Sequence, residues 1–419
     1  MDRRIMYDVV IVGGGTAGVA AAIGAVKTGA RTLLIERNAY LGGEATNSGV
    51  AAYCGFYTSG KSAQKVVSGV GDMVLQELAN LNQDVRPEIS AAGNATIKFN
   101  PEHLKYAMDR LIEKNNIDLL LHCQVIASKV EDGKILSIEC VDDMGKFYVD
   151  GKVFVDSTGD GNLAFLSNAQ TIWGNETGHI QPATLAIRID CISSCNDISP
   201  GAIEKAILQA KADGIKNLTK EKGFIIRRGS ADFGYVLLPS VQIDSIDAKS
   251  LTEAEINARK QAHAYIEAFK KYMPGMEKCN MCVTGPSIGI RESRKLVGKY
   301  TITKDDVIQG IKRNDGIGRG GWKPEIHKDI NKMGEYIEIE EGSFYDIPLG
   351  CLQSVNIDNL YGSGRFISAD QIAFASSRVM GTCFVTGHAA GVAAGIQSKE
   401  EIVDIEKVRA ELVKQGAII

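Results

Sequence analysis

The side chains best able to bind an anion or move a proton lie in the second half of the sequence. Arg291 and Arg294 stand in the polar turn Gly289-Ile290-Arg291-Glu292-Ser293-Arg294. A guanidinium stays charged and offers a rigid fork of donors, so either one suits a substrate carboxylate or a proton-donating role. Surface pairing with Glu292 is the competing use. His327 follows Trp322-Lys323-Pro324-Glu325-Ile326, and Tyr345 precedes Asp346-Ile347-Pro348. Both are residue types that act as general acid or base, and both also serve as satisfied structural groups. Cys279-Asn280-Met281-Cys282 has redox spacing, yet one pair leaves a zinc or cluster site two ligands short. No metal site is expected.

Such groups need a scaffold, and the first thirty-six residues supply its clearest part. Tyr7 to Val12 reads as a buried parallel strand, followed at once by Gly13-Gly14-Gly15-Thr16-Ala17-Gly18. A small-residue helix from about Thr16 to Thr28 ends at Gly29, and a second apolar strand, Arg31 to Ile35, ends at Glu36. This is the βαβ context of a dinucleotide fingerprint. Gly13 allows the tight turn, Gly15 lets the backbone approach a pyrophosphate, and Gly18 lets the helix lie close to the sheet. The helix N-terminus supplies amide donors, and Glu36 can accept from a ribose hydroxyl.

Further signals follow in chain order. Leu41 to Gly49 is too rich in glycine and polar residues for a regular element. Gly42 and Gly43 there would let amides lie against a ligand extending past the pyrophosphate. Helices are expected over Val66–Leu81 and, with Asn100 as cap and Pro101 at the first position, over a stretch carrying Leu104, Met108, Leu111 and Ile112. Ile117–Leu121 reads as a strand. Val125–Val130 and Ile135–Val141 flank a hairpin turn, and Lys152–Asp156 runs into a second glycine turn, Ser157-Thr158-Gly159-Asp160-Gly161. From Asn162 to Gly350 the pattern changes to strands at Ala183–Asp190, Phe224–Arg228 and Tyr235–Leu238, with helices at Ser199–Ala212 and Leu251–Met273. Thr252 and Glu255 suggest a capping box for the latter helix. We read this region as a second, inserted unit. Gly316 to Gly321 imitates a nucleotide loop, but Lys312-Arg313-Asn314-Asp315 before it cannot be a buried strand. The chain then returns through Leu360 to Arg365. A helix follows with Gly387, Gly391 and Gly395 at four-residue spacing, a bare stripe that demands close packing, with Gly18, Ala21, Ala22 and Ala25 as the natural partners. His388 on it is expected in the core.

Composition narrows the class. The 419 residues are 44% hydrophobic and 23% charged, with a net charge of −4, which gives no reason to expect nucleic acid or a membrane surface as partner. No stretch approaches the ~20 apolar residues of a membrane span. The N-terminus shows no signal-peptide pattern, so a cytoplasmic protein is expected. The nine cysteines are scattered as reduced thiols would be.

Together, Tyr7–Glu36, Leu41–Gly49, Val155–Gly161, the Gly289–Arg294 turn with Val297–Tyr300, Leu360–Gly395 and the tail Arg409–Ala417 resemble FAD-dependent oxidoreductases of the glutathione-reductase-like superfamily, on the fumarate-reductase-like side. The resemblance implies an α/β fold: a Rossmann-type FAD-binding domain, parallel sheet with β-meander, over 1–161 and 351–419. It would be interrupted by an α+β substrate domain over 162–350. It implies FAD as cofactor, with adenosine at Glu36 and Arg37 and adenine beside Gln124 and Val125. Gly42, Gly43, Glu44 and Thr46 would run under the ribityl chain. Thr158, Gly159, Asp160, Gly364, Arg365 and Asp370 would close over pyrophosphate and ribitol. Gly381 and Thr382, at a helix N-terminus, would face the flavin pyrimidine. Arg378, just before that helix, would hold a substrate anion, with a pyrophosphate or structural role as the alternative, and Cys54 would line the flavin or be inert. The function implied is hydride transfer between flavin and a small organic molecule. An electron-transferring subunit with a protein partner is the second reading. NADH and NADPH are expected to be poor reductants, and the oligomeric state is left open.

Overall fold

The computed structural model describes residues 4–90, 93–192, 196–227, 231–400 and 402–419. The first strand, Arg4–Val12, is apolar and buried through Val9–Val12, so it needs cover on both faces. It pairs in parallel with Thr32–Ile35 and with Gly145–Asp156, and Asp118–Leu120 extends the sheet past Thr32–Ile35. Gly145–Asp156 changes partner along its length. Residues 145–150 face the antiparallel meander of Lys134–Asp142 and Gln124–Glu131, whereas Phe154–Asp156 pair in parallel with Leu360–Gly362. The result is the expected Rossmann-type α/β sheet with a meander, closed by a strand from the far end of the chain.

The glycine stripe does what its spacing demands. A Cβ on Gly387 would stand 2.1 Å from the Ala17 carbonyl oxygen, and one on Gly391 1.9 Å from that of Ala21. One on Gly395 would meet Thr28 Oγ1 at 2.3 Å. The return helix, Met380–Gln397, therefore lies backbone-to-backbone on the first helix, Thr16–Lys27. The contact face is Ala17, Ala21 and Ala25 rather than the expected Gly18 and Ala22. Gly18 instead faces the glycine turn, where its Cβ would fall 1.8 Å from the Gly13 oxygen.

A separate core belongs to the inserted unit. Its helices Pro200–Ala212 and Ala248–Tyr272 pack on a four-stranded sheet ordered Ile225–Ile226, Phe233–Val236, Ile187–Asp190, Asn280–Thr284. Arg228, in the expected Phe224–Arg228 strand, lies outside the described residues. The capping box at Thr252 and Glu255 does not form. The helix starts earlier, Asp247 caps it through the amides of Lys249 and Ser250, and Glu255 accepts from the Ile288 amide at 2.7 Å. Ile302, Val307, Ile317, Tyr345 and Ile347 share the core of the first helix, although the sequence put them in the inserted unit. Gly316–Gly320 is itself a strand, paired with Tyr345–Pro348. Two smaller corrections concern the first half. Glu44–Asn47 is a short helix inside the expected loop, and the helix expected from Val66 starts at Val70. The described cysteines are all free, and no single helix among the described residues is long and apolar enough to cross a membrane.

Candidate active site

Two glycine loops meet at the carboxyl end of the sheet. Gly13 adopts φ +103° and is pressed against the Ser157 carbonyl, so only glycine fits that turn. Gly14 donates to Glu36 Oε2 at 2.6 Å, while Glu36 Oε1 accepts from the amide and side chain of Asn38, each at 2.8 Å. The predicted ribose acceptor thus also fastens the first turn to the end of the second strand. The Gly42 amide donates to the Gly14 oxygen at 2.9 Å, which lays the second loop along the first. At Gly15 an added Cβ would find no atom closer than the Gly43 Cα, at 3.6 Å. The first turn of the helix that follows has neither a capping side chain nor an acidic residue. Its amides are left for an anion.

These loops form one wall of a cleft of about 530 Å³ that runs from Arg37, Gln124 and Val125 at one end to Arg378 and Cys383 at the other. Gly13, Gly15, Thr16, Ala17, Glu36, Gly43 and Glu44 line one side. Thr158, Gly159, Asp160, Gly364 and Arg365 line the other. Arg365 binds the loops together. It donates to the Gly159 oxygen (2.9 Å), Glu44 (2.9 Å), Asp160 (2.7 Å) and the Ile290 oxygen.

Gly18, Gly42, Thr46, Asp370, Gly381 and Thr382 stand behind this surface. Gly42, at φ +114°, packs on Thr46, whose hydroxyl donates to the Leu41 oxygen at 2.7 Å. Asp370 caps the helix Gln371–Ser377 through the amides of Ile372 and Ala373. Gly381 packs on the backbone of Cys54 and Gly55, where a Cβ would meet Gly55 C at 2.5 Å. The Thr382 hydroxyl is buried with no partner among the described residues.

Beyond Arg378 lies a cluster of charged groups. Arg378 occupies the corner between Gln371–Ser377 and the return helix, and its Nη2 donates to the Glu325 carbonyl at 2.9 Å. His327 Nε2 is 3.3 Å from Glu325 Oε1, and the His327 amide donates to Gln181 at 3.0 Å. Arg291 donates to the Pro182 oxygen at 2.6 Å. Burial pushes Glu325 up, but the His327 hydrogen bond and the charges around it, those of Arg378 and Arg291 included, hold it down at about 2. Burial, with Arg291 adding to it, lowers His327 to about 4. At neutral pH the pair is therefore a carboxylate and a neutral imidazole. The charges of Arg291 and Glu325 also act on Lys220, which is 3% exposed, and Tyr336 lies close enough for Glu325 and Arg378 to act on its phenol.

Arg291, His327 and Arg378 are thus brought together, and two other residues read from the sequence are not. Tyr345 is fully buried, with its hydroxyl 3.0 Å from Ser376 Oγ, itself bonded to the Trp322 oxygen. Arg294 donates to the Asp160 oxygen at 3.0 Å and stacks on Phe165. Neither arginine of the turn pairs with Glu292, which is buried with Lys295 at 3.3 Å. Burial raises the thiols of Cys54 and Cys383 to about 12, so neither is a reactive thiolate at neutral pH. Lys220, Glu325 and Tyr336 were missed. Glu325 had a signal, since residues two apart on an extended segment share a side and Glu-Ile-His has that spacing. Lys220 had none.

Residues 8–412 match the family described as FAD dependent oxidoreductase. No curated protein matches the chain. Among solved structures it is similar to a geranylgeranyl bacteriochlorophyll reductase-like protein from Thermoplasma acidophilum, at 14% identity and TM-score 0.46, over 98% of this chain and 82% of that one. It is also similar to p-nitrophenol 4-monooxygenase PnpA from Pseudomonas putida DLL-E4, at 10% identity and TM-score 0.48, over 99% and 85%. GidA from Aquifex aeolicus aligns at 12% identity and TM-score 0.49, over 95% and 64%. The open face at Gly15, the uncapped first turn and the extended cleft fit a dinucleotide with its diphosphate against that turn. The chain belongs to the FAD-dependent oxidoreductase family, and FAD is its cofactor.

Proposed function

We propose that the protein transfers a hydride between FAD and a small organic anion bound at the Arg378 end of the cleft. The observation that carries this reading is the charge imbalance there. Arg291 and Arg378 lie around the ionised Glu325, whose histidine partner is neutral, while Glu44, the other carboxylate acting on Arg291, is paired with Arg365. Buried cations in excess call for an anionic ligand, and guanidinium groups take carboxylate bidentately.

In this reading Gly13, Gly15 and Gly43 offer backbone to the FAD diphosphate, Glu36 and Arg37 hold the adenosine ribose, and Val125 flanks the adenine. Thr158, Gly159, Asp160, Gly364 and Arg365 shape the opposite wall, while Gly42, Thr46, Asp370, Gly381 and Thr382 support these loops from behind. FAD supplies the two-electron chemistry. Arg378 and Arg291 orient the substrate carboxylate, and the Glu325–His327 pair keeps Arg378 in place through the Glu325 backbone. The unit with its own core, roughly Ile180 to Ile288, forms the substrate side, and 302–350 belongs with the FAD-binding part.

The test is an anaerobic screen of organic acids, polyols, amines and steroids for bleaching or recolouring of the bound flavin. Reaction with acids alone is the expected result. If only neutral apolar compounds react, the anion site is wrong.

A further inference from the structure

Two side chains meet the same edge of one short strand, and each keeps a buried donor with nothing to accept it. Glu325–Ile326 pairs antiparallel with Glu335–Tyr336, and the Ile337 amide donates to the Pro324 oxygen at 3.0 Å. Peptide groups alternate sides along a strand, so the Glu325 carbonyl and the His327 amide point to the other, free edge. Arg378 Nη2 donates to the first at 2.9 Å, and Gln181 Oε1 accepts from the second at 3.0 Å. The guanidinium and the carboxamide therefore lie side by side along that edge, and Arg378 lines the cleft.

Their remaining donors are unpaired. Arg378 Nε and Gln181 Nε2 are both buried without a hydrogen-bond partner among the described residues. A backbone N–H can only donate, so the Gln181 atom facing His327 N is the oxygen and its free end is the NH2. The Glu325 carboxylate meets neither donor and turns to His327 Nε2 at 3.3 Å. Gln181 is 3% exposed, and the backbone around it is held from three directions. Gln242 Nε2 donates to the Ile180 oxygen at 3.1 Å, the Gln181 amide to Glu292 Oε2 at 3.3 Å, and Arg291 to the Pro182 oxygen at 2.6 Å. A buried donor left unmade is unfavourable, and two on adjacent groups call for one acceptor that reaches both.

We propose that Gln181 is a specificity-determining residue of the substrate site, and that its Nε2–H and the Arg378 Nε–H hold the two oxygens of a substrate carboxylate. A carboxylate accepts at both oxygens and donates at neither, which matches two N–H groups. The corresponding carboxamide would turn its own NH2 against one of them, and an ester would place an alkyl group there. The site therefore selects acids over their amides and esters. Gln181 follows Ile180 of the inserted unit's core, and Arg378 precedes the return helix, so the bound acid also bridges the two parts of the molecule. This deepens the anion-site reading above and rests on it.

The test uses the FAD-loaded protein and reads binding rather than turnover. Acetate, lactate, malonate, succinate and benzoate, each beside its carboxamide, are titrated by flavin difference spectrum and by calorimetry. Wild type should bind at least one acid roughly 10- to 100-fold more tightly than its amide. The sharpest variant is Gln181→Glu. It keeps an oxygen for the His327 amide and changes only the free end, from a donor to an acceptor. It should weaken the acid roughly 100-fold and narrow or reverse the preference over the amide. Gln181→Met, which removes the donor without adding a charge, should weaken the acid roughly 10-fold. Thermal unfolding and the flavin-to-protein ratio check that each variant is folded and loaded. Acid binding that neither variant changes overturns the proposal and leaves the anion site standing, since Gln181 then merely braces the His327 segment. Binding of no acid by wild type overturns the anion site and the proposal with it. An amide bound by wild type as tightly as its acid overturns the proposal on its own, and this comparison decides if the variants fail to load.

Discussion

The two ends of the cleft are built in different ways. At the diphosphate end the work is done by backbone. Gly13, Gly15, Gly42 and Gly43 bring two loops together, and the helices behind them touch through Ala17, Ala21, Gly387 and Gly391. At the end proposed for the substrate the charged side chains come from separate stretches: Arg291, Glu325 with His327, and Arg378. A site made of backbone depends on side chains being absent, and it fails when one is added. A site made of charges depends on their sum, and it fails by degrees.

The largest effect should come from adding side chains behind the diphosphate end. Gly391→Val puts atoms where the Ala21 carbonyl now lies, so we expect destabilisation of more than about 4 kcal/mol. Urea unfolding checks this, and a wild-type midpoint would mean that the two helices need not touch. Gly15→Val sharpens the same contrast. Its Cβ meets only open cleft and the Gly43 Cα at 3.6 Å, so the protein should fold with a nearly unchanged midpoint yet purify without flavin colour.

Each region also buries a neutral histidine, which allows a like-for-like measurement. His388, on the return helix, is bonded to Gln415 at 2.8 Å, and burial lowers it to about 4, as burial and Arg291 do for His327. Both protonate in the unfolded chain near pH 6.5 but in the folded protein only near 4. Stability should therefore be complete above 6.5 and fall as the pH drops towards 4, by roughly 3 kcal/mol for each group. His327→Gln and His388→Gln should each remove about one proton from that slope, read by chemical unfolding at a series of pH values. Equal slopes in wild type and both variants would show that neither ring is held neutral. The smallest effect belongs to Arg378→Lys. It keeps the charge and loses the fork, so FAD should stay bound while the Michaelis constant for an acid substrate rises about tenfold, worth about 1.4 kcal/mol. A change in FAD affinity with an unaltered Michaelis constant would assign Arg378 to the cofactor instead.

The same contrast explains what could be read from the sequence. The diphosphate end lies in short-range spacing: a strand, a glycine turn and a helix within thirty residues, and glycines every fourth residue at Gly387, Gly391 and Gly395. Steric demands of that kind leave a local mark. The charged cluster leaves almost none, because Arg378 reaches the Glu325 carbonyl, 53 residues away, only once separate stretches have folded together. Asp370 and Gly381 show that such positions also carry structural duties. Both sit where cofactor contacts are expected; Asp370 also caps a helix and Gly381 also packs on a crossing backbone. Tyr345 was chosen for its chemistry and lies in the core, since no periodicity in Tyr345–Pro348 tells which side faces inward. Short strands such as Tyr345–Pro348 carry no pattern to assign them to one core or another, and Tyr345 and Ile347 pack in the core of the first helix.

Arg365 has a consequence for how the protein is made. Its partners Glu44, Asp160 and Ile290 precede it by 321, 205 and 75 residues, and the return helix that covers the first helix follows it. On a ribosome the apolar face of Thr16–Lys27 therefore emerges long before its cover. At roughly 5–20 residues per second, that interval lasts tens of seconds. The nascent chain must pass through a state in which the diphosphate loops exist but Arg365 does not yet tie Glu44 to Asp160. Chains stalled before Leu360 should accordingly bind no FAD and should be captured by chaperones, whereas chains released past Gln397 should acquire flavin at once. Ribosome-bound fragments of increasing length, assayed for retained flavin, would locate that step.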